Sequence, residues 1–584
     1  MSLFSSNKSY WASQAAQIRR KRDELHEQQK QYLLPLYSKL DEKLITTVLS
    51  STASELIEQV QLGNYRSSDI VLIYSYRACR CGELLNSNTE ELFVDAHKYA
   101  VQQDQLRADE RKSTNTPLGE KLSKYSRLLE GLPISVKDQY QQSGCTSSCG
   151  VVSLATEDKR YTTDGILIQL IREQGGIPFV RSNVPQLLMF CETDNAIYGE
   201  GKNPYNELRT CGGSSGGEAA LLSSNASPLG IGSDIGGSLR IPAHSSGIIG
   251  YKCTPERGSI VGLNIARHQP VDGMQYIKNC TGPMGRSVDD CILILKTWWC
   301  DKLYKADPWC APLPFNDSVY HSTNKLRIGY YIDDGYCKTS KPVARAINET
   351  VDILRSHGHT LIEFQPLYSK QLMLAYSSLF LGDGGDDFFG ALLGESPNQR
   401  YTLQVVIKSL PTFIKPLIRQ LLRLAGQHRL AELAGAAERH TVNGYWKVQS
   451  STTQYVQKYL QRINELELDA WICPVTCFPA TIQKTSGDVI PGISTLQQNL
   501  LKVPGGSIPV TVVQKGETDY TDQYNDMITK KIQEICSNSE GLPIGVQVCS
   551  LPYHDETVLR VMKEIESKVQ FNKKYPPMIL NRLK

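Results

Sequence analysis

Short apolar segments beside glycine or proline alternate with longer helix-prone stretches, and this alternation constrains the fold more than any other feature of the chain. Residues 40–110 are predicted to be helical, with a break at Gly63-Asn64. The predicted strands lie at 131–138, 177–180, 470–473, 508–513 and 544–548. The pattern predicts an α/β fold with a mixed central β-sheet flanked by helices.

Length, charge and cysteine usage exclude several classes of protein. The 584 residues, 40% of them hydrophobic, can bury a large core, and a net charge of +3 over that length argues against nucleic-acid binding. The 16 cysteines include no paired C-x-x-C motif, and none has zinc-finger spacing with histidine partners. We therefore expect free thiols and no metal site. The stretch from Ser9 is polar and helix-prone, and no run of about 20 apolar residues occurs. We therefore expect an intracellular protein that is not secreted and has no spanning helix.

Two nearby segments combine glycine and serine at high density. The first is CGGSSGGE at 211–218, and the second is GIGSDIGGSLRIP at 230–242. Such glycine density indicates that the backbone approaches another group closely or adopts positive φ, and exposed N–H groups there can bind a developing oxyanion. A serine beside those groups could attack the carbonyl that they polarise. The alternative is a pair of surface loops without chemistry.

A serine nucleophile needs a base, and Lys137 is the candidate. His244 lies near the second segment but belongs to no motif that would pair it with a serine. Lys137 ends the apolar run that starts at Leu132, so it could extend from a strand end into the core. Burial lowers the lysine pKa of about 10.4 by up to roughly 3–5 units, which would make the amine a base. The alternative is a lysine with a buried stem and a solvated charge beside Asp138.

Three segments in this order resemble the amidase-signature family. The family pattern is G-x-P-x-x-x-K-D, then G-G-S-S-G-G, then G-x-D-x-G-G-S-x-R-x-P. Here these motifs occur at 131–138, 212–217 and 232–242, and Ser214 and Ser238 are 24 positions apart, as in the family. The resemblance implies the amidase-signature fold and cleavage of an amide bond through an acyl-enzyme, without metal or cofactor.

The resemblance also implies a role for each member of a Ser-Ser-Lys triad. Lys137 would be the base, Ser214 a proton relay beside a cis peptide bond, and Ser238 the nucleophile. Lys137 would take a proton from Ser214, which takes one from Ser238 as that serine attacks, and the proton would return to the amine leaving group. The oxyanion would be held by the backbone N–H groups of Ile235, Gly236, Gly237 and Ser238.

Further segments resemble the fatty acid amide hydrolases, one branch of that family. This similarity covers about residues 40–565 and includes 298–301, 326–331 and 541–547. It implies a homodimer that hydrolyses N-acylethanolamines and primary fatty amides. Leu188 and Met189 would lie in the acyl channel, and Ser214 and the 235–238 loop would also contact the substrate. The segment 187–190 stays apolar but departs from the branch in detail, which leaves the acyl preference open.

Residues 411–426 predict a basic amphipathic helix. Phe413, Ile414, Leu417, Ile418, Leu421, Leu422 and Ala425 share one face, and Lys415, Arg419 and Arg423 lie on another. A helix of this type binds the membrane interface, and the segment resembles a membrane-binding cap of the branch. Pro416 indicates that the regular helix begins near Lys415 or is kinked there. The alternative is an ordinary surface helix docked on the core.

The resemblance divides the chain into a polar helical extension at 1–39 and a catalytic domain at 40–575 that contains this cap. We expect a peripheral, monotopic association with an endomembrane. Three alternatives remain. One is an amidase for a smaller amide, such as the A subunit of a glutaminyl-tRNA amidotransferase. The others are an α/β-hydrolase that uses G-x-S-x-G at 212–216 and a catalytically silent lipid-binding protein on a membrane.

Overall fold

The computed structural model describes residues 8–113, 127–266, 273–411 and 413–583. Its strands are β1 (Asn88–Glu91), β2 (Pro133–Lys137), β3 (Ile177–Ser182), β4 (Leu229–Asp234), β5 (Ile249–Lys252), β6 (Cys280–Gly285), β7 (Arg327–Tyr330), β8 (Thr360–Glu363), β9 (Ala470–Pro474), β10 (Gly505–Val512) and β11 (Pro543–Cys549). These strands form one sheet in the order β1-β3-β2-β4-β6-β5-β10-β11-β9-β7-β8.

Helices precede, connect and follow these strands. Those before residue 260 are α1 (Lys8–Tyr37), α2 (Glu42–Ser50), α3 (Ala53–Leu62), α4 (Ser67–Leu85), α5 (Phe93–Ser113), α6 (Ile166–Glu173), α7 (Gly216–Ser223) and α8 (Arg240–Ser246). Those after it are α9 (Val288–Trp298), α10 (Asp301–Ala306), α11 (Asp317–Tyr320), α12 (Lys341–Ser356), α13 (Ser369–Phe380), α14 (Asp386–Gly390), α15 (Thr402–Ser409), α16 (Lys415–Leu424), α17 (His428–Ala436), α18 (Val442–Glu465), α19 (Thr495–Leu500), α20 (Met527–Cys536), α21 (Asp555–Val569) and α22 (Phe571–Lys574).

The predicted α/β fold with a mixed central sheet is confirmed. β2 pairs in parallel with β3 and β4, whereas β10 pairs antiparallel with β5 and β11. All five predicted strands are present, as β2, β3, β9, β10 and β11. The predicted helical region at 40–110 also breaks at Gly63, whose φ of 83° ends α3, but it contains β1 as well.

The second glycine-rich segment is only partly a loop. Its first half belongs to β4, where every residue is buried. A Cβ at Gly230 would lie 2.0 Å from Glu218 Oε2, and one at Gly232 would lie 2.7 Å from Ser215 Oγ. The two glycines therefore let α7 approach the strand closely, a packing role that the sequence pattern did not distinguish from loop flexibility.

The parallel pairing of β2 and β4 creates a site at one edge of the sheet. Parallel strands place their carboxyl ends at the same edge, where open α/β sheets bind ligands. Lys137 ends β2, and the loop from Ile235 to Ser238 follows β4. The fold thus brings the predicted base and the second glycine-rich loop together, although 96 residues separate Lys137 from Ser233.

The N-terminal helix α1 lies against α4, β1 and the loop before residue 198. Arg19 Nε donates to the Ile197 carbonyl at 2.9 Å, and Lys30 Nζ lies 2.6 Å from Glu83. His26 Nδ1 lies 2.9 Å from a Glu91 carboxylate oxygen. α1 is thus fixed along its length by polar contacts.

α16 exposes apolar side chains to solvent. The helix begins at Lys415 with Pro416 in its first turn, as predicted, whereas Thr412 lies outside the described residues. The exposed fractions are 80% for Phe413, 60% for Leu417, 56% for Leu421 and 75% for Leu424. Ile414, Ile418 and Leu422 are half-buried instead, so the predicted apolar face is divided between a packed strip and an exposed one. Across the described ranges, no helix has the length and apolar character that crossing a bilayer requires.

Candidate active site

Lys137 is fully buried at the carboxyl end of β2. Its Nζ lies 2.8 Å from Ser214 Oγ and 2.9 Å from Ser233 Oγ. Burial lowers the pKa of Lys137 to about 7, and the negative charge of Asp234 offsets only part of that effect. The alternative of a solvated charge beside Asp138 is wrong, because Asp138 pairs with the buried Arg181 at 3.2 Å. Lys137 is therefore available as a neutral amine near neutral pH.

The backbone that leads to Ser214 requires glycine at positions 212 and 213. The Gly213–Ser214 peptide bond is cis, and Gly212 has φ of 88°. A Cβ at Gly212 would lie 2.5 Å from the Pro242 backbone, and one at Gly213 would lie 2.6 Å from the Phe190 carbonyl. These close approaches seat Ser214 immediately before α7, with its hydroxyl directed at Lys137.

The loop that carries Ser238 is fixed by a buried ion pair. Arg240 contacts both carboxylate oxygens of Asp234, at 2.9 and 3.0 Å. Burial alone would raise the pKa of Asp234, but the charge of Arg240 outweighs it and holds that pKa well below its usual range. Asp234 also accepts a hydrogen bond from Gly237 N–H at 2.8 Å. The carboxylate thus closes the turn that presents Ser238.

Two further contacts orient the peptide groups of this loop. Tyr376 donates its hydroxyl to the Ile235 carbonyl at 3.3 Å, and Thr495 donates to the Gly236 carbonyl at 2.8 Å. Because the C=O and N–H of one peptide point in opposite directions, fixing the Ile235 carbonyl also fixes the Gly236 N–H. Of the four predicted oxyanion donors, the Gly237 N–H already donates to Asp234.

Ser214 and Ser238 line the same cavity. One part of its wall is apolar, formed by Leu187, Leu188, Met189, Ile235, Ile265, Phe380 and Phe388. The other part carries the polar side chains of Gln139, Ser233 and Asn279. The structure therefore brings Leu188 and Met189 to the two serines, as the sequence predicted, and the cavity suits a substrate with one apolar and one polar end.

Several of these residues were not identified from the sequence. Gln139 follows the lysine motif and Ser233 lies inside the third motif, so proximity in sequence was a usable signal for both. Thr495, Phe380 and Phe388 come from distant helices, and no local pattern marks them. The position of Phe380 and Phe388 at the cavity, and of Thr495 at the Gly236 carbonyl, depends on tertiary packing.

His244 is held by backbone groups and is not paired with either serine. His244 is buried, and its ring nitrogens lie 3.2 Å from the Gly545 carbonyl and 3.1 Å from the Phe478 carbonyl. It is therefore engaged by the backbone rather than by a serine. In the part of the chain that the structure describes, one group of possible metal ligands occurs, His26, Cys79 and Glu91, and it lies where α1 contacts α4 and β1.

Comparison with known proteins identifies the family. The model of the Amidase family matches residues 73–559. Fatty-acid amide hydrolase 1 of Sus scrofa is 34% identical over 446 residues, which cover 75% of this chain and 76% of that protein. Fatty acid amide hydrolase 1 of Caenorhabditis elegans is 32% identical over 542 residues, covering 91% and 90%. An acetamidase of Emericella nidulans is 27% identical, covering 89% of each chain.

Solved structures agree on the fold. The structure of a fatty acid amide hydrolase aligns with 97% of this chain and 95% of its own, with a TM-score of 0.78 and 23% identity. A bacterial aryl acylamidase of the amidase-signature family aligns with 90% of this chain and 97% of its own, with a TM-score of 0.66 and 17% identity.

Proposed function

Because the chain belongs to the amidase family, we propose that it hydrolyses fatty acid amides, namely N-acylethanolamines and primary fatty amides, to free fatty acid and amine. The observation that carries this proposal is the buried contact of 2.8 Å between Lys137 Nζ and Ser214 Oγ, beside a cavity that Ser238 also lines. A buried amine that contacts a serine hydroxyl has the chemistry of a general base.

The proposed mechanism follows from this contact. Neutral Lys137 accepts the proton of Ser214, and Ser214 accepts the proton of Ser238 as Ser238 Oγ attacks the amide carbonyl. The oxyanion accepts hydrogen bonds from the loop N–H groups, each worth about 3–4 kcal/mol in the transition state. The proton then returns through Ser214 to the amine, the C–N bond breaks, and water hydrolyses the acyl ester on Ser238.

The apolar part of the cavity wall supports the proposal that the substrate carries a lipid acyl group. Leu188, Met189, Phe380 and Phe388 lie in the same cavity as the nucleophile. Two relatives at 32–34% identity are named fatty acid amide hydrolases. An acyl chain would lie against these side chains while the amine faces the polar part of the wall.

Membrane association and a homodimer complete the proposal. The exposed apolar strip of α16 would enter the membrane interface and draw lipid amides from it, which makes the protein peripheral and monotopic. In sequence, α16 falls within the proposed catalytic domain at 40–575. Residues 1–39 form an N-terminal extension of that domain. Light scattering of the purified protein tests the homodimer.

The second candidate is an amidase for a short amide. The acetamidase of Emericella nidulans, at 27% identity over 89% of the chain, favours this candidate. The apolar part of the cavity wall would also contact a short acyl group.

A series of ethanolamides from acetyl to long-chain acyl separates the two candidates. We expect kcat/KM to rise with acyl length, since each buried CH₂ contributes about 0.8 kcal/mol. Ser238→Ala, measured with the same series, controls for contaminating hydrolases. A maximum at the acetyl end would assign the chain to short amides instead.

A further inference from the structure

Gln139 follows the proposed base by two positions, and its N–H donates to the Lys137 carbonyl at 2.6 Å. Its side chain lies in the polar part of the cavity wall. Its side chain is 1% exposed, and its Oε1 accepts a hydrogen bond of 2.6 Å from the Ser233 hydroxyl. Ser233 is in turn 2.9 Å from Lys137 Nζ. The three side chains form a buried chain of contacts from Gln139 through Ser233 to Lys137.

The hydrogen-bonding capacity of a neutral lysine is small. A neutral amine has two N–H donors and one lone pair, and it must keep the lone pair for the proton that it removes. Three oxygens surround Lys137 Nζ: Ser214 Oγ at 2.8 Å, Ser233 Oγ at 2.9 Å and the Ser233 carbonyl at 3.5 Å. The carbonyl can only accept, whereas either hydroxyl can donate or accept.

The direction of the Ser233 hydroxyl therefore decides what Lys137 can do. Ser233 has one hydrogen, and Gln139 Oε1 accepts it. Ser233 Oγ then has only lone pairs to offer Lys137, so the amine donates to Ser233 Oγ and to the Ser233 carbonyl. Both N–H groups are thereby used, and the lone pair faces Ser214.

We propose that Gln139 is a positioning residue that directs the lone pair of Lys137 at Ser214 by fixing the Ser233 hydroxyl as an acceptor. This inference rests on the proposed function, because it assumes that Lys137 is the base. Without the Gln139 oxygen, Ser233 can rotate and donate to the lysine lone pair. That hydrogen bond would occupy the electron pair which catalysis needs.

Gln139→Met tests the proposal, because methionine is close in size but has no strong acceptor. We expect kcat to fall about tenfold to a hundredfold, the scale of a misdirected catalytic group. The rate at which a fluorophosphonate labels Ser238 should fall with kcat, since labelling needs the same base and no lipid substrate. Unchanged labelling and unchanged kcat in a folded variant would overturn the proposal.

Gln139→Glu separates positioning from mere packing. A carboxylate keeps the acceptor for Ser233 and adds a negative charge beside Lys137, which raises the lysine pKa. We expect the pH profile of kcat to shift to higher pH, with a plateau within about threefold of wild type. A folded Gln139→Glu variant whose plateau falls as far as that of Gln139→Met would overturn the proposal, and this comparison stands even if Gln139→Met fails to fold.

A double-mutant cycle with Ser233→Ala gives the sharpest readout. Without the Ser233 hydroxyl there is nothing for Gln139 to direct, so adding Gln139→Met to Ser233→Ala should change kcat by less than about twofold. A purely structural role for Gln139 predicts the same loss in both backgrounds, and that result would overturn the proposal.

Gln142→Met is the matched control. Gln142 is also 1% exposed, lies three residues further along the chain and contacts Arg181 rather than Ser233. We expect its kcat and labelling rate to match wild type, with thermal unfolding of every variant measured alongside. Failure of the proposed function is a separate result, since it would appear as absent labelling of Ser238 in wild type.

Discussion

At the scale of single residues, the proposed chemistry depends on a lysine whose pKa is lowered by burial. Lys137 is buried at the end of β2, and its nearest polar neighbours are hydroxyl and carbonyl oxygens. The same side chain on the surface would be protonated at neutral pH and could not accept a proton. Its position in the fold, more than its identity, makes it a candidate base.

The first prediction concerns pH. A base acts in its unprotonated form, and burial lowers the pKa of Lys137 to about 7, so kcat should rise with pH through about 7 and then level off. Lys137→Met should lower kcat by several orders of magnitude and abolish that rise. A wild-type profile that rises only near the ordinary lysine pKa of 10.5 would contradict the assignment.

The second prediction concerns the proposed oxyanion loop. Gly237 has φ of 124°, and a Cβ there would lie 2.1 Å from Thr495 Oγ1, the side chain that fixes the Gly236 carbonyl. Gly237→Ala should therefore displace the loop and lower kcat by about a hundredfold or more, as loss of an oxyanion donor does. Gly273→Ala is the control, because a Cβ there meets nothing within 4 Å. Equal activity of the two variants would argue against a role for this loop.

The motif residues of the site could be predicted from the sequence, but their supporting contacts could not. Lys137, Ser214 and Ser238 stand in three recognisable segments. The contacts that orient them join residues far apart in the chain, such as Ser233 with Gln139 across 94 positions and Thr495 with Gly236 across 259. Hydrogen-bond direction at such distances depends on the finished fold.

At the scale of secondary-structure elements, α16 shows what a periodic pattern predicts and what it leaves open. The apolar periodicity and Pro416 predicted the position of the helix, which begins at Lys415. The pattern could not show which apolar strip packs and which stays exposed, because that depends on the neighbouring helix. Arg419, on the predicted basic face, is 3.6 Å from Glu438.

The third prediction is that the exposed strip of α16 anchors the protein to membranes. Phe413, Leu417, Leu421 and Leu424 would each contribute about 1.5–3 kcal/mol on burial in lipid, which is enough for reversible binding. Replacing these four with Ser should release the protein from liposomes in a sedimentation assay while leaving hydrolysis of a water-soluble amide unchanged.

Two exposed apolar residues elsewhere supply the control for that experiment. Leu208 is 77% exposed and Trp309 is 86% exposed, and neither belongs to α16. Replacing them with Ser should leave liposome binding intact. If the α16 variant stays bound to liposomes, another surface is the anchor.

At the scale of the whole molecule, the fold class could be predicted but the order of the strands could not. Apolar runs beside glycine and proline marked five strands correctly. The remaining six include β4, whose glycines resemble a loop, and β1, which lies inside a helical region. Strand order brings together segments hundreds of residues apart, as when β5 pairs with β10, and a local pattern carries no such information.

The fourth prediction concerns the attachment of α1 to the body of the molecule. Hydrogen bonds to Cys79 and Glu91 raise the pKa of His26 to about 11 from 6.5. Because the pKa of His26 is higher in the folded state, protonation of His26 stabilises the folded protein. This stabilisation is complete below pH 6.5 and is lost as pH rises toward 11. His26→Asn should therefore lower Tm most near about pH 6, and the gap to wild type should narrow toward about pH 9. A gap that does not depend on pH would show that His26 is not charged in this contact.

The central claim, that Ser238 carries the acyl group of a lipid amide during turnover, is tested most directly by trapping the acyl-enzyme. Wild-type protein would be mixed with equimolar long-chain and acetyl ethanolamides, quenched in acid within one turnover, digested and mapped by mass spectrometry. We predict the long acyl group as an ester on Ser238 and on no other residue, together with release of ethanolamine. An acyl group on Ser214, or an acetyl group alone on Ser238, would contradict the account.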